Sequence, residues 1–221
     1  MLNGIDVSAH QPSNVIDLVP ADFAIIKATG GTGYVNPRAA VQMSYAPERN
    51  GLYHFAGDGY PWTTPEAEAQ NFLAQWSKLA EVNTIPVLDW EPPAPVHDVA
   101  WAERWLDIVA GATGKTPLLY CNLSVATSYD WSRVQALGVK LWLAWYGNDQ
   151  RIDGYQPTRN EDDIALSVLE SSARGAWRVA IWQYSQNGYL PGYGGNLDLN
   201  IAYEDLWANG TLVPGIGELR P

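Results

Sequence analysis

The residues of this chain best suited to chemistry are Asp89 and Glu91, which flank Trp90 at the end of the run Thr84-Ile85-Pro86-Val87-Leu88 and just before Pro92-Pro93. A short apolar run bounded by prolines reads as a buried strand. Residues i and i+2 of a strand share a face, so the two carboxylates project together from α-carbons roughly 6.5–7 Å apart. Like charges that close raise one pKa, leaving one group a protonated acid while the other stays ionised. Hydrolysis of a glycosidic bond needs that division of labour. Taken alone, Asp-x-Glu is more often a solvated pair on a strand edge, so its surroundings decide.

Those surroundings are a series of strand-like segments: Gly4–Ser8, Phe23–Thr29, Leu52–Ala56, Ile85–Glu91, Leu118–Asn122, Leu141–Tyr146, Val179–Tyr184 and Leu197–Ile201. Most are near-continuous apolar runs, as parallel strands buried on both faces require. Between them lie helix signals. Thr64 and Pro65 supply an N-cap and first turn, followed by Phe72, Leu73, Trp76, Leu79 and Ala80 at helical spacing. Asp98 caps a second helix with Trp101, Trp105, Ile108 and Val109 on one face, ending near Gly111 and Gly114. Residues 37–49 read as a third helix and Ser132–Leu137 as a short fourth. Eight strands with such crossovers in 221 residues imply an α/β fold, an irregular (β/α)8 TIM-like barrel with an incomplete helical ring. In such barrels, chemistry sits at the carboxyl ends of the strands. Asp6, Ser8, Thr29, His54, Asp89, Glu91, Asn122, Tyr146, Gln183, Ser185, Asp198 and Asn200 all gather there in this reading. Asp6 and Asp198, on neighbouring first and last strands, should face each other across the mouth from Asp89 and Glu91.

Composition narrows the partners. The net charge of −11 argues against nucleic acid and against an anionic membrane surface. No apolar run reaches transmembrane length. The lone Cys121 reads as buried and inert, and the three histidines share no metal-ligand spacing. The 11 tryptophans and 12 tyrosines suit core packing and stacking on sugar faces alike. The opening residues, Met1 to Val7, lack the basic and apolar regions of a signal peptide, and the chain reads as made without one.

An ordered set of short motifs resembles the glycoside hydrolase family 25 lysozymes, the Chalaropsis-type muramidases. It comprises Gly4-Ile5-Asp6-Val7-Ser8 with Gln11, Ala24-Ile25-Ile26-Lys27-Ala28-Thr29, Gly51-Leu52-Tyr53-His54-Phe55 and Pro86-Val87-Leu88-Asp89-Trp90-Glu91. It continues through Leu119-Tyr120, Leu141-Trp142-Leu143-Ala144 with Tyr146-Gly147, Trp182-Gln183-Tyr184-Ser185, and Gly192 to Gly195 followed by Leu197-Asp198-Leu199-Asn200. The resemblance implies hydrolysis of the β-1,4 bond between N-acetylmuramic acid and N-acetylglucosamine in peptidoglycan. It implies Glu91 as general acid and Asp89 as the group that steadies the anomeric centre by orienting the substrate's own acetamido group. Asp6 and Asp198 match further acidic positions of the cleft. Tyr53, Tyr120, Tyr146 and Gln183 match positions able to bind substrate, while Trp145 is divided between cleft and core. No metal or organic cofactor is implied. The partner is the peptidoglycan glycan strand, with no nucleic acid or membrane, and the chain reads as a monomer.

Two departures stand out. The family commonly carries glutamate where this chain has Gly30, so a carboxylate is missing from the rim. The connection between Asn148 and Trp177 is long, with a helix expected over Ile164–Leu169 that either walls the cleft or merely decorates the fold. Residues 1–210 form the catalytic domain in this reading, and 211–221 a tail or linker. A phage endolysin acting on the wall after release fits best, with an autolysin exported by another route as the alternative. Two rivals differ in class: a chitinase-like glycosidase, and a barrel that binds glycan without cutting it.

Overall fold

In the computed structural model, the structure describes residues 1–59, 62–147, 149–156, 177 and 179–208. Its strands are β1 (Leu2–Val7), β2 (Phe23–Gly30), β3 (Tyr34–Val35), β4 (Asn50–Phe55), β5 (Ile85–Asp89), β6 (Leu118–Asn122), β7 (Lys140–Ala144), β8 (Ile152–Asp153), β9 (Val179–Tyr189) and β10 (Leu197–Ala202). Hydrogen bonding runs β1-β10-β9-β7-β6-β5-β4-β2, and β2 pairs back with β1, so these eight strands close a barrel. The short strands β3 and β8 only extend β2 and β9.

Alternation divides the side chains between two cores. Phe23, Ile25, Val87, Leu118, Trp142 and Ile181 point inward and fill the barrel. The amino-end side is closed by Trp207, whose ring lies 5.2 Å from Phe23. Gly4 makes room there, since a Cβ would sit 2.5 Å from the Phe23 ring. Outward residues such as Ile26, Leu52, Leu88, Leu119 and Leu143 pack beneath the helices.

The helices are α1 (Val15–Leu18), α2 (Ala39–Ser44), α3 (Pro65–Leu79), α4 (Val99–Thr113), α5 (Leu123–Ser128) and α6 (Ser132–Ala136). Among the described residues only α3 and α4 are long, and both begin at the expected caps. Thr64 accepts from the Ala67 amide and Asp98 from the Trp101 amide, while Gly114 ends α4 in the left-handed region. Trp101 and Trp105 are core residues. The helix expected over 37–49 shrinks to α2. Asn36 Oδ1 accepts the Arg38 amide at 2.9 Å and holds a turn ahead of it, and Pro47 follows closely behind.

Two expectations need correction. The last strand is not parallel: β10 runs antiparallel to both β9 and β1. Residues 190–196 are too few for a crossover, and they turn the chain straight back. The ladder of β5 also stops at Asp89, leaving Glu91 beyond it. Extended geometry persists a step further, because the Trp90 amide donates to the Tyr120 carbonyl at 2.9 Å while its ring is wholly buried outside. Asp89 and Glu91 therefore still share the inner side. The helix expected over 164–169 and the tail 211–221 lie outside the described residues.

Candidate active site

The inward residues at one end of the barrel leave a polar cavity of about 210 Å³, lined by Asp6, Tyr53, Asp89, Glu91, Tyr120, Trp142, Tyr146, Gln183, Gln186 and Asp198. All four carboxylates expected from the sequence meet here. Asp6 comes from the end of β1 and Asp198 from the start of β10, and the two are cross-strand partners. The reversed direction of β10 brings its amino end to the face where the parallel strands present their carboxyl ends. Asp89 ends β5, next to Phe55 of β4 and Tyr120 of β6.

Gln183 holds the floor together. Its Oε1 accepts from Tyr120 OH at 2.8 Å and from Tyr146 OH at 2.6 Å, and its Nε2 donates to Asp6 Oδ2 at 2.8 Å. Asn200 Nδ2 donates to the same oxygen at 2.7 Å and is itself oriented by Trp142 Nε1 at 2.8 Å. Gln183→Leu removes all three of the glutamine's bonds and leaves buried phenols and a carboxylate short of partners. Each costs about 1–3 kcal/mol, and each kcal/mol lowers Tm by about 2–4 °C at this size. Thermal unfolding of the variant checks this directly.

Burial dominates the electrostatics. Loss of water pushes the Asp6 carboxyl up to about 6, against the opposing pull of hydrogen bonds from Asn200 and Gln183. Asp198 is driven well above the usual range by burial, then by the Asp6 charge and a hydrogen bond with the Asp6 carboxyl. Asp89 is pushed well up by burial, then by Glu91, with Lys27 pulling the other way. Glu91 is raised less, by burial and then Asp6, again opposed by Lys27. Burial and a neighbouring carboxylate thus favour the protonated form of both acids, Asp89 being the deeper of the two. The buried Oδ1 of Asp89 has no hydrogen-bond partner, an arrangement that a donor on a ligand would complete.

The expected substrate residues divide. Tyr53, Tyr120, Tyr146 and Gln183 line the cavity, whereas Trp145 does not. Its ring stacks on Trp182 at 6.1 Å and borders a shallower groove that runs outward from Glu91 past Asn122 and Ser124. Asn122 serves as a helix cap, accepting from the Val125 amide at 2.9 Å. His54 sits on no rim. It is wholly buried behind the barrel wall, with Nδ1 2.8 Å from Thr29 Oγ1 and Nε2 2.9 Å from Glu68, and burial lowers its pKa.

The rim at Gly30 does not lack a carboxylate. Asp58, from the loop after β4, fills the space a side chain at 30 would take and pairs with Lys27 at 2.8 Å. Sequence reading had missed Lys27, Asp58, Trp142 and Gln186 as site residues. For Lys27 the signal was a cation at an inward position of an apolar strand. Among the described residues no group of His, Cys, Asp and Glu is placed to hold a metal ion.

A closed barrel with buried carboxylates gathered at one end, one of them bordering an open groove, is the build of a glycoside hydrolase. Residues 5–193 match the family model for glycosyl hydrolases family 25, and the chain belongs to that family. The N,O-diacetylmuramidase of Chalaropsis sp. is 37% identical over 145 residues, covering 56% of this chain and 67% of that protein. The bacterial lysozyme of Streptomyces coelicolor superposes with a TM-score of 0.66 at 22% identity, covering 95% of this chain and 98% of the other. The Cpl-1 endolysin of phage Cp-1, solved with a peptidoglycan analogue, gives a TM-score of 0.64 at 25% identity, and the match spans 92% of this chain but 54% of that modular protein.

Proposed function

We propose that this family 25 lysozyme cleaves the β-1,4 bond between N-acetylmuramic acid and N-acetylglucosamine, with Glu91 as general acid and Asp89 as the group that steadies the anomeric centre. The observation that carries the assignment of roles is the unpartnered Oδ1 of Asp89. An N–H from the substrate's acetamido group meets that oxygen and stabilises the ionised form. The proton of the pair then rests on Glu91, which alone of the two borders both the cavity and the outer groove. Glu91 can thus reach the leaving-group oxygen while Asp89 holds the acetamido oxygen towards the anomeric carbon. Asp6 and Asp198, joined by a hydrogen bond, keep the floor from gathering further charge, and the phenols of Tyr53, Tyr120 and Tyr146 bind sugar hydroxyls and the acetamido group.

Its site of action is the bacterial cell wall, and the chain works there as a monomer without nucleic acid, membrane or metal. No helix among the described residues is long and apolar enough to cross a membrane. Purified peptidoglycan treated with the protein should gain reducing ends that carry muramic acid, as read by mass. Soluble product from chitin but not from peptidoglycan would establish the chitinase-like alternative. Binding without any new reducing ends would make this a glycan-binding barrel.

A further inference from the structure

On the β2–β4 side of the cavity stands a cation that the reaction above does not use. Lys27 lies on the inward face of β2, two residues beyond Ile25, with its side chain 12% exposed. Its Nζ is 2.8 Å from Asp58 Oδ2 and lies 5.0 Å from the Tyr34 ring centroid and 4.6 Å from that of Phe55. Asp58 belongs to no strand. Its side chain lodges against Gly30, where a Cβ would come within 2.5 Å of its Oδ2, and its carbonyl oxygen occupies the place a Cβ on Gly31 would need. The loop is anchored from behind, since the Gly57 amide donates to buried Glu68 Oε2 at 2.9 Å and Thr63 Oγ1 to its Oε1 at 2.9 Å. Asp58 is thus held on both sides, unlike a surface ion pair free to come apart.

We propose that Asp58 is a positioning residue: seated on the Gly30–Gly31 backbone, it fixes the Lys27 ammonium beside the cavity, and that fixed cation sets the charge balance of the Asp89–Glu91 pair. The proposal rests on the reading of that pair as the reacting groups. A lysine on a flexible four-carbon stem exerts a steady field only if something holds its head. Around Lys27, β1 contributes Asp6, β3 Tyr34, β4 Tyr53 and His54, and the loop Asp58. Asp89 at the end of β5 and Glu91 just past it feel its charge, Glu68 lies behind on α3, and Arg38 precedes α2. Within this set Lys27 lowers both Asp89 and Glu91, whereas Asp6 raises both, and Asp58 raises Asp89.

Two experiments test this, after thermal unfolding has shown that each variant folds. In the first, the carboxyl carbons of Asp89 and Glu91 are titrated by NMR in the parent and in Lys27→Met, a substitution of similar length. Removing the cation should raise the apparent midpoints of the pair by about one pH unit, a tenfold change in proton affinity. Unchanged midpoints overturn the proposal whether or not the protein turns over substrate. Shifted midpoints in a parent that cuts no glycan would instead sink the acid–base assignment and leave this one standing. The second experiment is a rescue. Asp58→Gly should lower kcat/KM on peptidoglycan about tenfold, equivalent to ~1.4 kcal/mol. Gly30→Glu combined with Asp58→Gly should recover most of the loss, because the vacated space then takes a carboxylate carried by β2. Gly30 does not have a positive φ, so its backbone accepts the change. A double variant no better than Asp58→Gly overturns the positioning role. Should Asp58→Gly fail to fold, Asp58→Asn keeps the shape without the charge, and activity equal to the parent's overturns it as well.

Discussion

Replacing Glu91 with glutamine is expected to reduce kcat on peptidoglycan by about 10²–10⁴-fold, the contribution of a positioned general acid. The substitution keeps the size and polarity of the side chain but supplies no acidic proton to the departing oxygen. Glu91 stands past the end of β5, half-buried, and among the described residues no hydrogen bond is made to its carboxylate. Fold and Tm should therefore survive, and KM should change much less than kcat, because the interaction lost is one made in the transition state. Steady-state rates of reducing-end release, with thermal unfolding alongside, decide the matter. Activity equal to the parent's would remove Glu91 from the mechanism.

Asp89→Asn is expected to be the more instructive variant, inactive yet more stable than the parent at neutral pH. Activity should fall by at least about a hundredfold, since the uncharged amide cannot steady positive charge at the anomeric centre. Stability should move the other way. Burial holds the Asp89 proton affinity well above that of the unfolded chain, so the folded state keeps a proton the unfolded state releases. Stability from such a group is greatest below the unfolded pKa and declines as pH rises through the folded one. Asp6 follows the same rule between its ordinary value of 3.8 and about 6. The parent should lose stability as pH climbs through that window, and the variant, with one such carboxylate fewer, should lose less. At this chain length each kcal/mol recovered is worth about 2–4 °C in Tm. Melting curves at pH 4 and pH 7 test it, and a variant less stable at pH 7 than the parent would contradict it.

The paired acids were legible because strand periodicity fixes which side chains share a face, and that rule tolerates a boundary two residues short. The barrel was legible from its apolar runs. Strand direction was not: Leu197-Asp198-Leu199-Asn200 alternates in either sense, and only the short link from β9 forces the reversal. Asp198 reached its place all the same, because the first residues of an antiparallel strand and the last of a parallel one meet at the same end. Trp145 stayed ambiguous because alternation turns it outward between Ala144 and Tyr146, and only the structure shows that an outward ring there still borders a groove. Asp58 carried no signal at all. Gly57-Asp58-Gly59 reads like any solvated turn, and its role follows only from the empty volume over Gly30, a neighbour 28 positions away in the chain (58 − 30).

The pairing of β1 with β10 also governs when the enzyme can exist. Asp6 and Asp198 are separated by 192 positions (198 − 6) and meet only in the final seam of the barrel. Contacts of such long range form late, because closing the intervening loop costs entropy before any pairing repays it. A growing polypeptide that has not yet delivered β10 has an open sheet, no partner for Asp6 and no floor to the cavity. Lytic competence thus arrives only once β10 has been delivered and the seam with β1 has closed.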